Sequence, residues 1–71
     1  MITADRFVEI VCEYCVVYTS EAEQLSLRFQ SLPTSFDEED LGMLVDRVLY
    51  DRVSYADWND MLEDFRFEMN S

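Results

Sequence analysis

The sequence predicts an all-α protein, a small bundle of about four short helices in a single acidic domain spanning residues 1–71. Turn residues are scarce, since Pro33 and Gly42 are the only proline and the only glycine, and sheet proteins need more of them for their hairpins. Apolar residues recur at helical spacing between residues that can cap helices. With 71 residues, 49% of them apolar, the chain can form one core of marginal size.

The first helix is predicted to run from an N-cap at Thr3 to Tyr18. Val8, Cys12 and Cys15 widen its apolar arc to about 220°, more than a surface helix needs, so we expect this helix to be central or to face a second copy of the chain. The alternative is a strand through CVVYT, residues 15–19, because β-branched residues favour extended backbone. The main apolar face comprises Phe7, Ile10, Val11, Tyr14, Val17 and Tyr18.

The second helix is predicted to begin at Ser20 as N-cap, with Glu23 completing a capping box. Pro33 disfavours helical backbone at Leu32 and should end the helix there. Its apolar residues at helical spacing are Ala22, Leu25, Phe29 and Leu32.

The third helix is predicted to begin within SFDEED, residues 35–40, with Ser35 as N-cap and Glu38 three residues later. The four acids of this stretch would lie in the first turn, where the helix dipole favours negative charge. Gly42 lowers helix propensity by about 1 kcal/mol relative to Ala, which a close contact with another helix would explain. The predicted buried face comprises Leu41, Leu44, Val45, Val48 and Leu49.

The fourth helix is predicted to be capped by Ser54 and to have the clearest two-sided character in the chain. Its apolar residues fall within about 80° of one another on a helical projection, and a row of acids lies on the opposite side. The apolar residues are Trp58, Met61, Leu62, Phe65 and Met69.

Residues 36–65 resemble an EF-hand in outline, with an acidic helix start, a short break and an aromatic exit helix. A twelve-residue calcium loop that starts at Asp51 would place Val53 and Tyr55 at ligand positions and Leu62 at the position of the bidentate acid. These side chains cannot hold calcium. We therefore predict no metal site here and transfer none of that family's residues.

Cys12 and Cys15 have the C-x-x-C spacing of redox and zinc sites, but the predicted helix places both in its interior. A redox pair needs a helix N-terminus, and zinc needs four ligands in a chain that has two Cys and no His. Both are interpreted as small buried apolar residues, with a zinc site or disulfide across a dimer as the alternative. Without His or Lys, and with serines used as caps, the chain is predicted to have no catalytic residue and no cofactor.

Charge indicates the kind of partner. The chain carries 16 acids and 5 arginines, a net charge of −11, of which −8 falls in residues 36–71. This charge repels nucleic acid and anionic membranes, and it favours encounter with a basic protein. The longest apolar run is far shorter than the roughly 20 residues that span a bilayer, so we expect a cytoplasmic protein.

The predicted binding surface lies on the fourth helix, where four acids step along the axis by about 4.5 to 6 Å, a spacing loosely similar to a nucleic-acid backbone. An aromatic residue beside them would anchor the contact. These residues are Asp57, Asp60, Asp64, Glu68 and Phe67.

Two functions remain open from the sequence. The first is a non-enzymatic inhibitor or regulator that binds a basic, typically nucleic-acid-binding, protein as a nucleic-acid mimic; in size and charge, though in no motif, the chain is similar to small phage-encoded inhibitors of host defence, which would act in the host cytoplasm. The second is a homodimeric helical adaptor that binds through apolar grooves. Salt distinguishes them, because it weakens binding by charge more than apolar binding.

Overall fold

The computed structural model describes all residues 1–71 and confirms the all-α prediction with four helices. Each helix packs against the next, and α4 returns to pack against α1, so the four form a closed ring. None of them is both long and apolar enough to cross a membrane. The helices are α1 (Ala4–Cys12), α2 (Thr19–Gln30), α3 (Glu38–Val48) and α4 (Tyr55–Met69).

Phenylalanine rings from three helices meet in the core. Phe7 lies beside both Phe29 and Phe65, with ring centroids 5.3 Å apart in each pair. Phe36, in the connection before α3, packs edge-on against Phe29 at 5.7 Å. Such pairs add about 0.5–1.5 kcal/mol each beyond the apolar area they bury. The other buried residues are Ile2, Ile10, Val11, Leu25, Leu41, Leu44, Val45, Leu49 and Met61.

The predicted start of α1 is correct, and the predicted end is wrong. The Thr3 hydroxyl accepts from the Arg6 amide at 3.1 Å, as expected of an N-cap. The helix ends at Cys12, six residues before the predicted end at Tyr18. The apolar arc that predicted self-association is therefore shorter than expected, and self-association stays a prediction.

The chain between α1 and α2 is neither the predicted helix nor the alternative strand. The amides of Tyr14 and Cys15 both donate to the Val11 carbonyl, and residues 16–18 have no regular secondary structure, with extended backbone at Tyr18 before α2. Val16 and Val17 are β-branched and weaken the helical preference here. Contacts with distant residues hold the break, since the Tyr14 hydroxyl donates to Asp64 and Arg52 donates to the Val16 carbonyl.

Two predicted helix caps lie two residues from the observed ones. The α2 N-cap is Tyr18, whose amide donates to the Glu21 carboxylate, in place of Ser20 with Glu23. The α3 N-cap is Asp37 in place of Ser35, and Asp37 and Asp40 exchange side-chain to amide hydrogen bonds at 3.0 Å. SFDEED is thus a helix start, as predicted, with an aspartate as its cap.

The shift of the α3 cap follows from Phe36. With Asp37 as N-cap, Phe36 occupies the preceding position and Leu41 the fourth helical position, the two sites of a hydrophobic staple. Phe36 packs against the core while Leu41 is fully buried within it. A cap at Ser35 would place Phe36 inside the helix and remove this arrangement.

Gly42 marks the predicted close contact between helices. A Cβ on Gly42 would lie 2.8 Å from Leu62 Cδ2 and 3.1 Å from Trp58 Cζ2, both on α4. The start of α4 is as predicted, with the Asp57 amide donating to the Ser54 hydroxyl at 3.2 Å. Two α4 residues of the predicted apolar face, Met61 and Phe65, are fully buried.

The prediction that both cysteines are buried inside a helix is wrong. Cys12 is the last residue of α1 and is exposed, while Cys15 lies in the turn that follows and is half-buried. Both thiols are free. The early end of α1 is the reason, because it takes Cys15 out of the helix and leaves Cys12 at the surface.

Candidate functional site

The four acids predicted to form one line on α4 lie in two different environments. Asp60 is exposed, whereas Asp57, Asp64 and Glu68 are half-buried on the side of α4 that faces α1. On a helical projection Asp60 lies about 40° to 60° farther from the core than Asp57 and Asp64. The row of acids predicted to lie opposite the apolar side of this helix is therefore not uniformly exposed, because Asp64 is half-buried.

Arg6 connects the acids of α1 and α4. Its guanidinium donates to Glu68 Oε1 at 3.1 Å and lies 3.8 Å from Glu9 and 3.6 Å from Glu13. Of these three pairs the one with Glu68 has hydrogen-bond geometry, and it raises the pKa of Arg6 the most. One guanidinium thus serves three glutamates, which leaves an excess of negative charge at the boundary between the two helices.

Tyr14 makes a second connection across the same boundary. Its hydroxyl donates a hydrogen bond to the Asp64 carboxylate. This bond raises the pKa of the Tyr14 hydroxyl well above its ordinary value, with further increases from partial burial and from the negative charges of Asp64, Asp60 and Glu13. The neutral Tyr14 hydroxyl thus holds Asp64 in place, and it stays protonated to a higher pH than an ordinary tyrosine.

These contacts define a surface that we call the acidic face. It contains five carboxylates, from α4, from α1 and from the position directly after α1, and a single arginine, Arg6, so its net charge is −4. The sequence reasoning identified the α4 members and missed those of α1, because it could not place the two helices side by side. The carboxylates are Glu9, Glu13, Asp60, Asp64 and Glu68.

Phe67 borders the acidic face and is 75% exposed. It follows Glu63 by four residues, so the two side chains lie on neighbouring turns of the outward side of α4. Glu63 is exposed and is a member of this outward row that the sequence reasoning missed. The spacing of Glu63 and Phe67 was a signal that could have found it.

The remaining acids extend the negative field over the molecule. Five of the 16 carboxylates take part in ion pairs, namely Glu9, Glu13, Glu21, Glu38 and Glu68, which leaves 16 − 5 = 11 without a basic partner within 4 Å. Three arginines form these pairs. The other two, Arg28 and Arg47, line a groove between α2 and α3 with Leu32, Met43 and Leu44.

The chemistry available at the acidic face is hydrogen-bond acceptance by carboxylate oxygens. Such oxygens form their strongest hydrogen bonds with the ammonium and guanidinium groups of Lys and Arg. Phe67 adds exposed apolar area beside them, and interfaces concentrate binding energy in such aromatic residues. The chain matches no protein-family model, no curated protein and no solved structure.

Proposed function

We propose that this protein is a non-enzymatic binding protein that docks its acidic face onto a basic surface of another protein, typically the nucleic-acid-binding surface, and so inhibits or regulates that partner in the cytoplasm. The observation that supports this most directly is that Arg6 is the one basic partner of three glutamates, Glu9, Glu13 and Glu68, while Asp60 and Asp64 lie near Tyr14 beside them with no basic partner within 4 Å. A basic partner supplies the positive charge that the face lacks.

The geometry favours partial imitation of a phosphate backbone. Along α4 the residues Asp60, Asp64 and Glu68 are about 6 Å apart from one to the next, and Glu9 on α1 and Glu13 directly after it add a second row. Tyr14 and Arg6 fix the side chains of Asp64 and Glu68, so less side-chain entropy is lost when a partner binds them. An anti-defence inhibitor of phage type is the form of this function that fits a chain of such size and charge.

Charge reversal at two outward positions, Asp60 in the acidic face and Glu63 in the outward row next to it, tests the proposal. The partner is first isolated from native host extract, identified by mass spectrometry and purified. Asp60→Lys with Glu63→Lys should then slow association with it at least about tenfold at low salt, because rim charges act mainly on the association rate. Both residues are exposed, and neither forms an ion pair within 4 Å.

The matched control is Glu23→Lys with Glu39→Lys, two exposed acids on α2 and α3 that also form no ion pair. Both double variants change the net charge from −11 to −11 + 4 = −7. If the control slows association as much as the test variant, the effect is one of net charge alone and the acidic face has no special role. Unchanged association of the test variant removes the face from consideration.

Phe67→Ala distinguishes the apolar contribution to binding from the electrostatic contribution. Because Phe67 carries no charge, its removal should leave the association rate unchanged and raise the dissociation rate about tenfold or more, as loss of an interface aromatic does. To measure inhibition, the partner is bound to labelled nucleic acid, and the release of that nucleic acid on addition of this protein is followed. If this protein and nucleic acid bind the partner without competing, the proposal that the acidic face mimics nucleic acid is contradicted.

The second candidate function is the homodimeric helical adaptor, which the net charge favours less but the groove between α2 and α3 supports. Met43 is 57% exposed there, beside the half-buried Leu32. Binding through this groove would change little between low and high salt, whereas binding through the acidic face would weaken strongly.

A further inference from the structure

A cavity of about 320 Å³ lies where the α3–α4 connection meets the start of α4, outside the acidic face. Its volume is at the lower end of the range for ligand sites, about 300–1,000 Å³. Two aromatic side chains, Tyr55 and Trp58, and two carboxylates, Asp46 and Asp51, line it above a base of Leu49 and Val53. Aromatic rings and carboxylates in one cavity are a combination that suits a cation.

Tyr55 and Trp58 both expose part of their aromatic rings to this cavity. Tyr55 is 96% exposed although it is a large apolar ring at the first position of α4. Trp58 is half-buried, with the Cζ2 edge of its ring against Gly42. This contact fixes the Trp58 ring in place, so the part of it that lines the cavity is already oriented for a ligand.

The two aspartates lack positive partners. Neither Asp46 nor Asp51 forms an ion pair within 4 Å or a side-chain hydrogen bond. Arg52 also lines the cavity, but its guanidinium donates to the Glu21 carboxylate and to the Val16 carbonyl. The guanidinium that lines the cavity is therefore engaged elsewhere, and Asp46 and Asp51 keep their negative charge without an ion-pair partner beside the aromatic rings.

We propose that this cavity binds an arginine side chain of a partner protein, with the guanidinium stacked on Tyr55 or Trp58 and hydrogen-bonded to Asp46 and Asp51. Arginine fits better than lysine because its planar guanidinium stacks on aromatic rings and presents five donors that can serve two carboxylates. The inference rests on the proposed function only in taking a basic protein as the source of the arginine.

Trp58 is the only tryptophan of the chain, so its fluorescence reports directly on the cavity. The probe is acetyl-Gly-Gly-Arg-Gly-Gly-amide, compared with peptides that carry lysine or the neutral isostere citrulline in place of arginine. We expect a saturable change of Trp58 emission with the arginine peptide, a weaker one with lysine and none with citrulline. Equal responses to arginine and citrulline, or to arginine and lysine, would overturn the proposal.

Asp51→Asn tests the carboxylate without disturbing the turn, since asparagine tolerates the positive φ of 57° found at this residue. It should weaken binding of the arginine peptide about tenfold, the usual effect of losing a hydrogen bond to a charged group. Tyr55→Leu, at an almost fully exposed position, should weaken it as well. The matched control Asp60→Asn removes the same charge from the acidic face and should leave the peptide affinity unchanged.

The outcome separates this site from the acidic face. If Asp60→Asn lowers the affinity for the arginine peptide as much as Asp51→Asn does, the peptide is attracted by the net negative charge of the protein and the cavity is not a binding site. Conversely, Asp60→Lys with Glu63→Lys should slow association with the partner while leaving peptide binding intact. A failed peptide titration thus refutes the cavity alone, and a failed partner assay refutes the acidic face alone.

Discussion

At the scale of single residues, the hydrogen bond between Tyr14 and Asp64 bears on the stability of the fold and on the proposed binding surface. It joins the turn after α1 to the middle of α4 and is partly shielded from solvent. A hydrogen bond to a charged group contributes about 1.5–3 kcal/mol when buried, so the low end of this range applies here. The same contact reduces the freedom of one carboxylate of the acidic face.

The raised pKa of Tyr14 predicts a loss of stability at alkaline pH. The folded protein keeps the hydroxyl neutral above its ordinary pKa of about 10, whereas the unfolded chain ionises there, so the contribution of Tyr14 is present below pH 10 and is lost as pH rises above it. Urea unfolding at pH 8 and pH 11 should show that the stability advantage over Tyr14→Phe shrinks or reverses. A constant advantage would contradict this, and Tyr55→Phe is the control for an exposed tyrosine.

The two cysteines should react at different rates. Burial raises the pKa of the Cys15 thiol, which lowers its thiolate fraction, while Cys12 is exposed at the end of α1. Because the thiolate is the nucleophile, alkylation at pH 8 should modify Cys12 first. Mass spectrometry of the timed reaction checks this, and Cys12→Ser should remove the fast phase. Faster modification of Cys15 would be inconsistent with the turn described after Val11.

At the scale of secondary-structure elements, the contact between α3 and α4 depends on Gly42. Alanine there would gain about 1 kcal/mol in helix propensity but would place a methyl group 2.8 Å from Leu62 and 3.1 Å from Trp58. Overpacking of this kind costs about 1–3 kcal/mol. Leu62 can rotate away more easily than the Trp58 ring, so the strain falls mainly on Trp58.

We therefore predict that Gly42→Ala lowers the free energy of unfolding by up to about 2 kcal/mol and shifts the emission maximum of Trp58. Urea unfolding followed by fluorescence measures both effects. A matched control is Ser26→Ala, at a half-buried position on α2 away from this contact. If Gly42→Ala is more stable and its emission is unchanged, α3 and α4 accommodate the added methyl group without a loss in the free energy of unfolding.

At the scale of the whole molecule, repulsion between carboxylates opposes folding. The net charge of −11 is confined to a particle with a radius of gyration of 10.9 Å, and 11 acids have no basic partner. The ion pairs around Arg6, Arg52 and Arg66 are surface pairs, which contribute little. Added salt screens both the repulsion between carboxylates and the attraction within the ion pairs. Because the repulsion is the larger effect, salt should stabilise the fold.

We predict that the thermal midpoint rises as sodium chloride increases from 10 mM to 500 mM, over which the Debye length falls from about 30 Å to less than 10 Å. Calorimetry or circular dichroism measures the midpoint. The less charged variant Glu23→Lys with Glu39→Lys should show a smaller rise. A midpoint that falls with salt would mean that the ion pairs outweigh the repulsion.

Self-association of the whole chain is tested by sedimentation at micromolar concentration. The expectation came from a wide apolar arc on a longer first helix, and α1 is nine residues long. Exposed apolar residues near its end, Val16 and Tyr18, are the remaining candidates for such a contact. A single species of 8.4 kDa would contradict self-association.

The sequence by itself determined the helical class, the approximate positions of all four helices and the buried faces of α3 and α4. These follow from local rules, since Thr3 and Ser54 cap the helices that they precede and Leu41 and Phe65 repeat at helical spacing into the core. It also determined the acidic character of α4, because a helical projection needs no knowledge of neighbouring elements.

Only the tertiary structure decided where α1 ends and which acids act together. The break after Cys12 is held by distant contacts, Tyr14 with Asp64 and Arg52 with the Val16 carbonyl, which local spacing does not contain. The partners of Arg6 on α4 and the cavity between Asp46 and Trp58 likewise join residues far apart in the chain. Side-chain periodicity fixes which side of a helix is buried, whereas packing fixes which helix lies beside it, and the proposed sites depend on the second.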